Sequence, residues 1–369
     1  MATTPSSAEG AAKSGSVNKG KSSNGRPGNR PGDRSVKQSV LDSPATVVDV
    51  AAAAGVSRQT VSNAFNAPHR VSPSTLARVQ QAVEQLDYHP NAYARKLRTR
   101  QSKAVGMRLE PYRGGISGVV LDRFFHAFTA GADKHGYRVL VYTAARAEEE
   151  LQQIETLAAG QEVGAVILTG TFLGDPRPAE LARNKIPFVA FGRPWGHLEE
   201  AKHSWVDVNG AAGVAAATED ALSVTSGLPV AFLGWPEDGG TGDNRRSGWS
   251  WAMEQAGLDT AGLNILSQDD AAHAQAAVAG AFREGTLDGV GAVVCASDLL
   301  AVGAKLALRE LSDAPPLIYG FDNTPTADAL SIPSVDQQVE DVADRILELI
   351  VAPPTTPERT LVTPTLVRR

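Results

Sequence analysis

The stretch TVVDVAAAAGVSRQTVSNAFN, from Thr46 to Asn66, restricts the fold more tightly than any other part of the 369-residue chain. Val47, Val50, Ala51 and Ala54 recur at i, i+3, i+4 and i+7, the spacing of one apolar helix stripe. Gly55 breaks that helix, Val56 places an apolar residue in the turn, and Ser57 suits the cap of a second helix. A serine hydroxyl there accepts from an otherwise unpaired backbone N–H. Two short helices joined through a glycine turn make a helix-turn-helix. Ala51 fits a close helix crossing, where only a small side chain has room, and Val61 completes the inner face. Arg58, Gln59, Ser62 and Asn63 then point outward, with side chains suited to base edges or phosphates. The competing reading is a plain helical hairpin with a solvated polar face. The small residue, the turn glycine and the valine at matched spacings weigh against it.

The next residues extend the motif. Ser72 and Pro73 open a third helix, with Pro73 at the first position, where its missing N–H costs nothing. Leu76, Val79, Val83 and Leu86 give this helix an apolar stripe, and Tyr88-His89-Pro90 ends it. A three-helix unit over residues 44–90 follows. Charge is placed unevenly: residues 1–43 carry a net +4 and residues 44–103 a net +5, so residues 104–369 hold −15 of the chain's −6 total. The basic end is drawn to DNA and the acidic body is repelled by it. Residues 1–43 are rich in Ser, Gly, Asn, Pro and Lys and are expected to be disordered, since they hold too little apolar surface to offset chain entropy. They read either as an inert tail or as a basic arm that adds sequence-independent attachment to DNA.

No apolar run approaches the ~20 residues that span a bilayer, and the N-terminus lacks the apolar core of a secretion signal. The single cysteine, Cys295, lies in the run Ala292-Val293-Val294-Cys295 and is expected to be a buried strand residue. A cytoplasmic protein, associated with the nucleoid, is the economical expectation. From Ala104 onward, AVGMRL, YRVLVYT, EVGAVILTG, PFVAFG, PVAFLGW, AVVCAS and PLIYGF read as strands. Amphipathic stretches near 122–135, 148–159, 243–256, 271–284 and 298–311 alternate with them. This rhythm implies parallel sheets flanked by helices, which bind ligands just past the carboxyl ends of their strands.

The segments DVAAAAGVSRQTVSNAFN and RVSPSTLARVQQAVEQLDYHPNAYARKLRTRQS resemble the head-piece and hinge of the LacI/GalR transcription regulators almost residue for residue. The resemblance runs from about residue 45 to the C-terminus. It implies a small all-α helix-turn-helix head-piece (44–90), a hinge helix and linker (91–103), and an α/β two-lobed periplasmic-binding-protein-like core (104–369). The lobes are expected to interleave, as 104–209 with 338–352 and 210–337 with 353–369.

The same resemblance assigns roles. Arg245, in Arg245-Arg246-Ser247-Gly248-Trp249, matches the family's ligand-binding arginine, whose guanidinium donates parallel bonds to neighbouring sugar hydroxyls. Asp322, in Gly320-Phe321-Asp322-Asn323, would accept from ligand hydroxyls or else cap a helix. Ser297 stands where many sugar-responsive members carry Asn, which puts the ligand's identity in question. Asp298 caps the following helix or touches ligand. Arg193 matches a strand end at the cleft, and Trp235 either stacks on a sugar or packs beneath its loop.

On DNA, Arg58 suits guanine O6 and N7, and Gln59 and Asn63, four residues apart on one face, suit adenine. Ser57, Thr60 and Ser62 read as phosphate or capping partners. In the family's hinge helix, Ala94 and Leu97 meet DNA, and Leu97 wedges into the minor groove. A homodimer on a near-palindromic double-stranded operator is expected, with a small-molecule effector, by resemblance a sugar, as the switch. The residues leave open whether the ligand releases DNA or promotes its binding; the resemblance favours release by a sugar, which would make the protein a repressor. A transport-system sugar-binding protein would share the core but has no use for Thr46–Leu97. An enzyme would need a reaction centre, and the sequence offers no phosphate loop, metal motif or nucleophile–base set, so neither cofactor nor metal is expected.

Overall fold

Thr46 and Asp49 close the first turn: the Thr46 amide and hydroxyl donate to Asp49 Oδ2 at 2.8 and 2.7 Å, and the Asp49 amide donates to the Thr46 carbonyl at 3.0 Å. In the computed structural model, which describes residues 45–88, 102–109, 118–196, 198, 201–236 and 239–369, this capping box opens α1 (Val47–Ala54). Gly55 ends it in the left-handed region at φ 62°, where a Cβ would be strained. Ser57 then caps α2 (Arg58–Asn66) by accepting from the Thr60 amide at 3.0 Å. Ser72 caps α3 (Pro73–Gln85) the same way, with Pro73 at its start. Val50, Ala51, Ala54, Val61, Val79, Ala82 and Tyr88 form one small core. Ala82 replaces Leu76 in the expected stripe, and Tyr88 folds back on Phe65 with ring centroids 6.3 Å apart. The head-piece and the remainder form separate compact units, divided after Asn91. The expected tail over 1–43 and the hinge positions Ala94 and Leu97 lie outside the described residues.

Beyond the head-piece the described strands form two six-stranded sheets of matching order. The first contains β1 (Ala104–Leu109), β2 (Arg138–Thr143), β3 (Ala165–Leu168), β4 (Phe188–Phe191), β5 (Trp205–Val208) and β11 (Arg359–Val362). They lie side by side as β11-β5-β4-β3-β1-β2, all parallel. The second holds β6 (Val230–Gly234), β7 (Asn264–Leu266), β8 (Ala292–Cys295), β9 (Leu317–Phe321), β10 (Ser334–Asp336) and β12 (Thr365–Val367). Its order is β12-β10-β9-β8-β6-β7, with only β12 antiparallel.

Strand alternation sorts the first lobe into two cores. Val105, Met107 and Ile167 face α4 (Val119–Lys134) and α11 (Val339–Val351), whereas Val166 and Leu168 face Ile154 of α5 (Ala147–Ala159) and Leu181 of α6 (Arg177–Arg183). In the second lobe α7 (Gly210–Val224) pairs with α8 (Thr241–Gln255), and α9 (Ala271–Arg283) with α10 (Asp298–Leu311). Gly248 permits the first pairing, because a Cβ there would stand 2.0 Å from the Ala211 carbonyl oxygen. This is the physical content of the glycine three residues after Arg245. Cys295 is fully buried in β8, as expected.

One boundary needs correction. Residues 353–369 were expected to belong wholly to the second lobe, yet β11 pairs with β5 at the edge of the first sheet, and only β12 joins the second. The chain therefore passes between the lobes near Val208–Gly210, Asp336–Gln338 and Val362–Pro364. These passages are bonded to one another: the Asn209 amide donates to the Val362 carbonyl at 2.9 Å, and the Gln338 side chain donates to Thr365 Oγ1 at 2.9 Å.

Candidate functional site

On α2 the inner face is set by Val61, which is fully buried, and this places Arg58 and Gln59 in solvent with Ser62 and Asn63 half-exposed. Gln59 Nε2 donates to Asn63 Oδ1 at 3.0 Å, so the two amides are already aligned along the outer face. Ser57 and Thr60 bond to each other through their hydroxyls at 2.9 Å, and Ser57 caps the helix. The structure thus gives them a capping role. The first turn of α2 holds no acidic residue, leaving the positive end of the helix dipole open to a phosphate.

The second site lies between the sheets, past the carboxyl ends of their strands. A cavity of about 180 Å³ there is lined by Thr171, Trp195, Asp207, Asn244, Arg245 and Gln337, among others. Arg245 reaches it from the second turn of α8 and is 6 % exposed. Its guanidinium stacks 3.7 Å from the Phe321 ring centroid and 5.4 Å from that of Trp235. Nη1 donates to the Ala296 carbonyl and lies 3.8 Å from Asp322 Oδ1. Nε is buried with no hydrogen-bond partner among the described residues. A buried donor left unpaired costs free energy until a ligand acceptor meets it.

Asp322 follows β9 at φ 119°, a strained backbone setting for a residue with a Cβ. Its Oδ1 accepts from Gln337 Nε2 at 2.6 Å. Burial pushes its carboxyl up to about 7; the Arg245 charge opposes this, while Asp298 and Asp269 reinforce it. The pKa in the folded state therefore exceeds the ordinary carboxylate value. Stability from the retained proton is complete below that ordinary value and is lost as pH rises through about 7. An Asp322→Asn protein should accordingly gain stability relative to the parent between about pH 5 and about pH 8. Denaturant titrations at both values check this, and a constant difference would disprove it.

Three expected ligand residues are used within the protein. Arg193 Nε donates to Asp207 Oδ2 at 2.5 Å and Nη2 to the Val208 carbonyl at 2.8 Å. It braces the wall from behind, with its guanidinium 4.9 Å from the ring of Trp195, which lines the cavity instead. Trp235 packs against the second-lobe core and backs Arg245, outside the cavity lining. Ser297 is 3 % exposed, caps α10 by accepting from the Leu300 amide at 3.2 Å, and donates to Asp269 Oδ1 at 2.6 Å. Asp298 fastens the loop after β9 and the start of β10, accepting from the Thr324 amide at 2.7 Å and Ser334 Oγ at 2.6 Å. Asn323 donates to Asp336 Oδ2 at 2.7 Å, a structural role.

Sequence reasoning missed Asp269, Gln337, Thr171 and Trp195. Trp195 alone carried a signal, since it follows the Arg193 strand end by two residues.

The loop carrying Thr171 is held from beneath. Arg177 Nη1 donates to Glu150 Oε2 at 2.6 Å and to the Thr169 carbonyl at 3.1 Å, and Nη2 donates to the Gly170 carbonyl at 2.9 Å. Asp175 takes the remaining donors, while Arg108 and Tyr142 also reach Glu150, at 3.1 and 3.2 Å.

A cleft between two parallel-sheet lobes, with a buried arginine reaching into it, joined in one chain to a helix-turn-helix unit, defines a ligand-responsive transcription regulator. The profile described as bacterial regulatory proteins of the lacI family matches residues 46–91, and that of periplasmic binding proteins and sugar binding domain of LacI family matches residues 121–314. The HTH-type transcriptional regulator CelR of Thermobifida fusca is 30 % identical over 323 residues, covering 83 % of this chain and 91 % of the relative. The solved CelR–cellobiose complex is 26 % identical at a TM-score of 0.63, over 88 % of this chain and 99 % of that one. The Lac repressor dimer bound to operator and the anti-inducer ONPF shares the fold at 22 % identity and a TM-score of 0.75, over 89 % of this chain and 98 % of that one. The chain belongs to the LacI family of DNA-binding transcriptional regulators. No helix among the described residues is long and apolar enough to cross a membrane.

Proposed function

We propose that the protein is a cytoplasmic repressor that binds a near-palindromic operator as a homodimer and is released by a sugar in the inter-lobe cleft. The observation that carries the DNA reading is the outer face of α2, where Arg58, Gln59 and Asn63 stand opposite the buried Val61. Arg58 pairs bidentately with guanine, and the aligned Gln59 and Asn63 amides meet adenine. One head-piece covers too few bases for a unique site, so two half-sites related by a two-fold axis are required.

For the switch, the sugar carries acceptors to the unpaired Arg245 Nε and donors to Asp322. Both residues sit on the second lobe, whereas Thr171, Trp195 and Asp207 face them from the first. A ligand bridging these groups favours one lobe arrangement, and only its difference in affinity between arrangements moves the equilibrium. CelR in complex with cellobiose supports a sugar as the class of effector.

An Arg58→Ala protein should lose ~1–3 kcal/mol of discrimination between operator and random duplex. Its sugar affinity should not change. Anisotropy titrations on both duplexes at fixed salt give the ratio, and an unaltered ratio rejects the base-reading role.

A further inference from the structure

We infer that Asp269 is a specificity-determining residue of the cleft, making it select sugars that are uncharged or amine-bearing and turn away sugar phosphates and uronates. This rests on the reading of the cleft as the effector site.

Ser297, where a ligand donor was expected, donates its hydroxyl hydrogen bond to Asp269 Oδ1 at 2.6 Å. Asp269 is exposed, and its Oδ2 has no hydrogen bond among the described residues. It stands three residues past the carboxyl end of β7, beside the lining of the cavity of about 180 Å³ rather than in it, and its charge acts on both Arg245 and Asp322. The site thereby exchanges a neutral side chain for a carboxylate oxygen that can only accept.

Among the described residues, the cations of the cleft do not offset this. Arg193 is bonded to Asp207 and the Val208 carbonyl, and Arg245 to the Ala296 carbonyl beside Asp322. Two carboxylates, Asp207 and Asp269, with Asp322 only partly ionised near neutrality, thus act beside two guanidiniums that already hold protein acceptors. The Arg245 Nε, buried and unpaired, has a single N–H to offer, enough for a hydroxyl or ring oxygen. A phosphate or carboxylate needs several donors and meets like charge instead. A hydroxyl or ammonium donates to Asp269 Oδ2 directly.

The test is calorimetric titration of the full chain with glucose, glucosamine, sucrose and cellobiose, against glucose 6-phosphate, glucuronate and sucrose 6-phosphate. Asp269→Asn keeps an acceptor for the Ser297 hydroxyl and removes the charge; its melting temperature serves as the folding control. We expect a neutral or amine sugar to bind at least about tenfold more tightly than its anionic counterpart, and Asp269→Asn to narrow that gap about tenfold. Preference for a phosphate or uronate, binding of none of the neutral or amine sugars, or a gap unchanged in Asp269→Asn would overturn the inference. Operator affinity is measured in the same preparations. Its absence with the sugar preference intact would sink the regulator reading and leave this one standing.

Discussion

An Arg245→Ala protein is expected to hold its operator with undiminished affinity and to ignore its effector. The guanidinium lies between Phe321 and Trp235 and is the buried cation nearest to Asp322. Burial pulls its pKa down, and Asp322 pulls it back up. A hydrogen bond from a charged donor contributes ~1.5–3 kcal/mol. Removing it together with the alignment of Asp322 should weaken effector binding on the order of a hundredfold or more. Arg245→Lys is the informative companion, because an ammonium keeps the charge and loses the fork that bonds two neighbouring oxygens. It should fall between parent and alanine. Release of fluorescent operator by added sugar is the readout, and normal release from the alanine protein would exclude Arg245 from the switch.

The largest stability effect belongs to a residue that touches no ligand. Glu150 is fully buried and meets Arg177 at 2.6 Å, Arg108 at 3.1 Å and the Tyr142 hydroxyl at 3.2 Å. Glu150→Ala leaves two guanidiniums facing each other without the carboxylate between them. Breaking a buried ion pair from one side costs ~3–5 kcal/mol, a large share of a typical domain's ~5–15 kcal/mol. Glu150→Gln, which keeps an acceptor of similar shape, should lose less. Denaturant unfolding resolves the difference, and a loss below ~1 kcal/mol would mean the network relaxes without harm. Arg177 also holds the Thr169 and Gly170 carbonyls, so the Thr171 wall of the cleft should loosen in parallel.

What the sequence disclosed follows from locality. The head-piece was legible because each of its signals, the apolar stripe, Gly55 and the Ser57 and Ser72 caps, acts through residues no more than three or four positions away. The long apolar strands were legible for the same reason. Short strands such as Asn264–Leu266 and Ser334–Asp336 hold three residues each, too few to show a period. Val230–Gly234 was read, but its neighbour Asn264–Leu266 was not, and Asp269 three residues beyond it went unnoticed. The roles of Arg193 and Ser297 turned on Asp207 and Asp269, 14 and 28 residues away in the chain. No spacing rule reveals partners brought together only by the packed sheets.

The sideways bonding of the inter-lobe passages has a mechanical consequence. A door hung on several hinges along one line swings in a single way, and segments tied together at Asn209–Val362 and Gln338–Thr365 form such a line. Opening and shutting then becomes one coordinate, so a molecule small enough to fill the gap can set the angle of an entire half of the core.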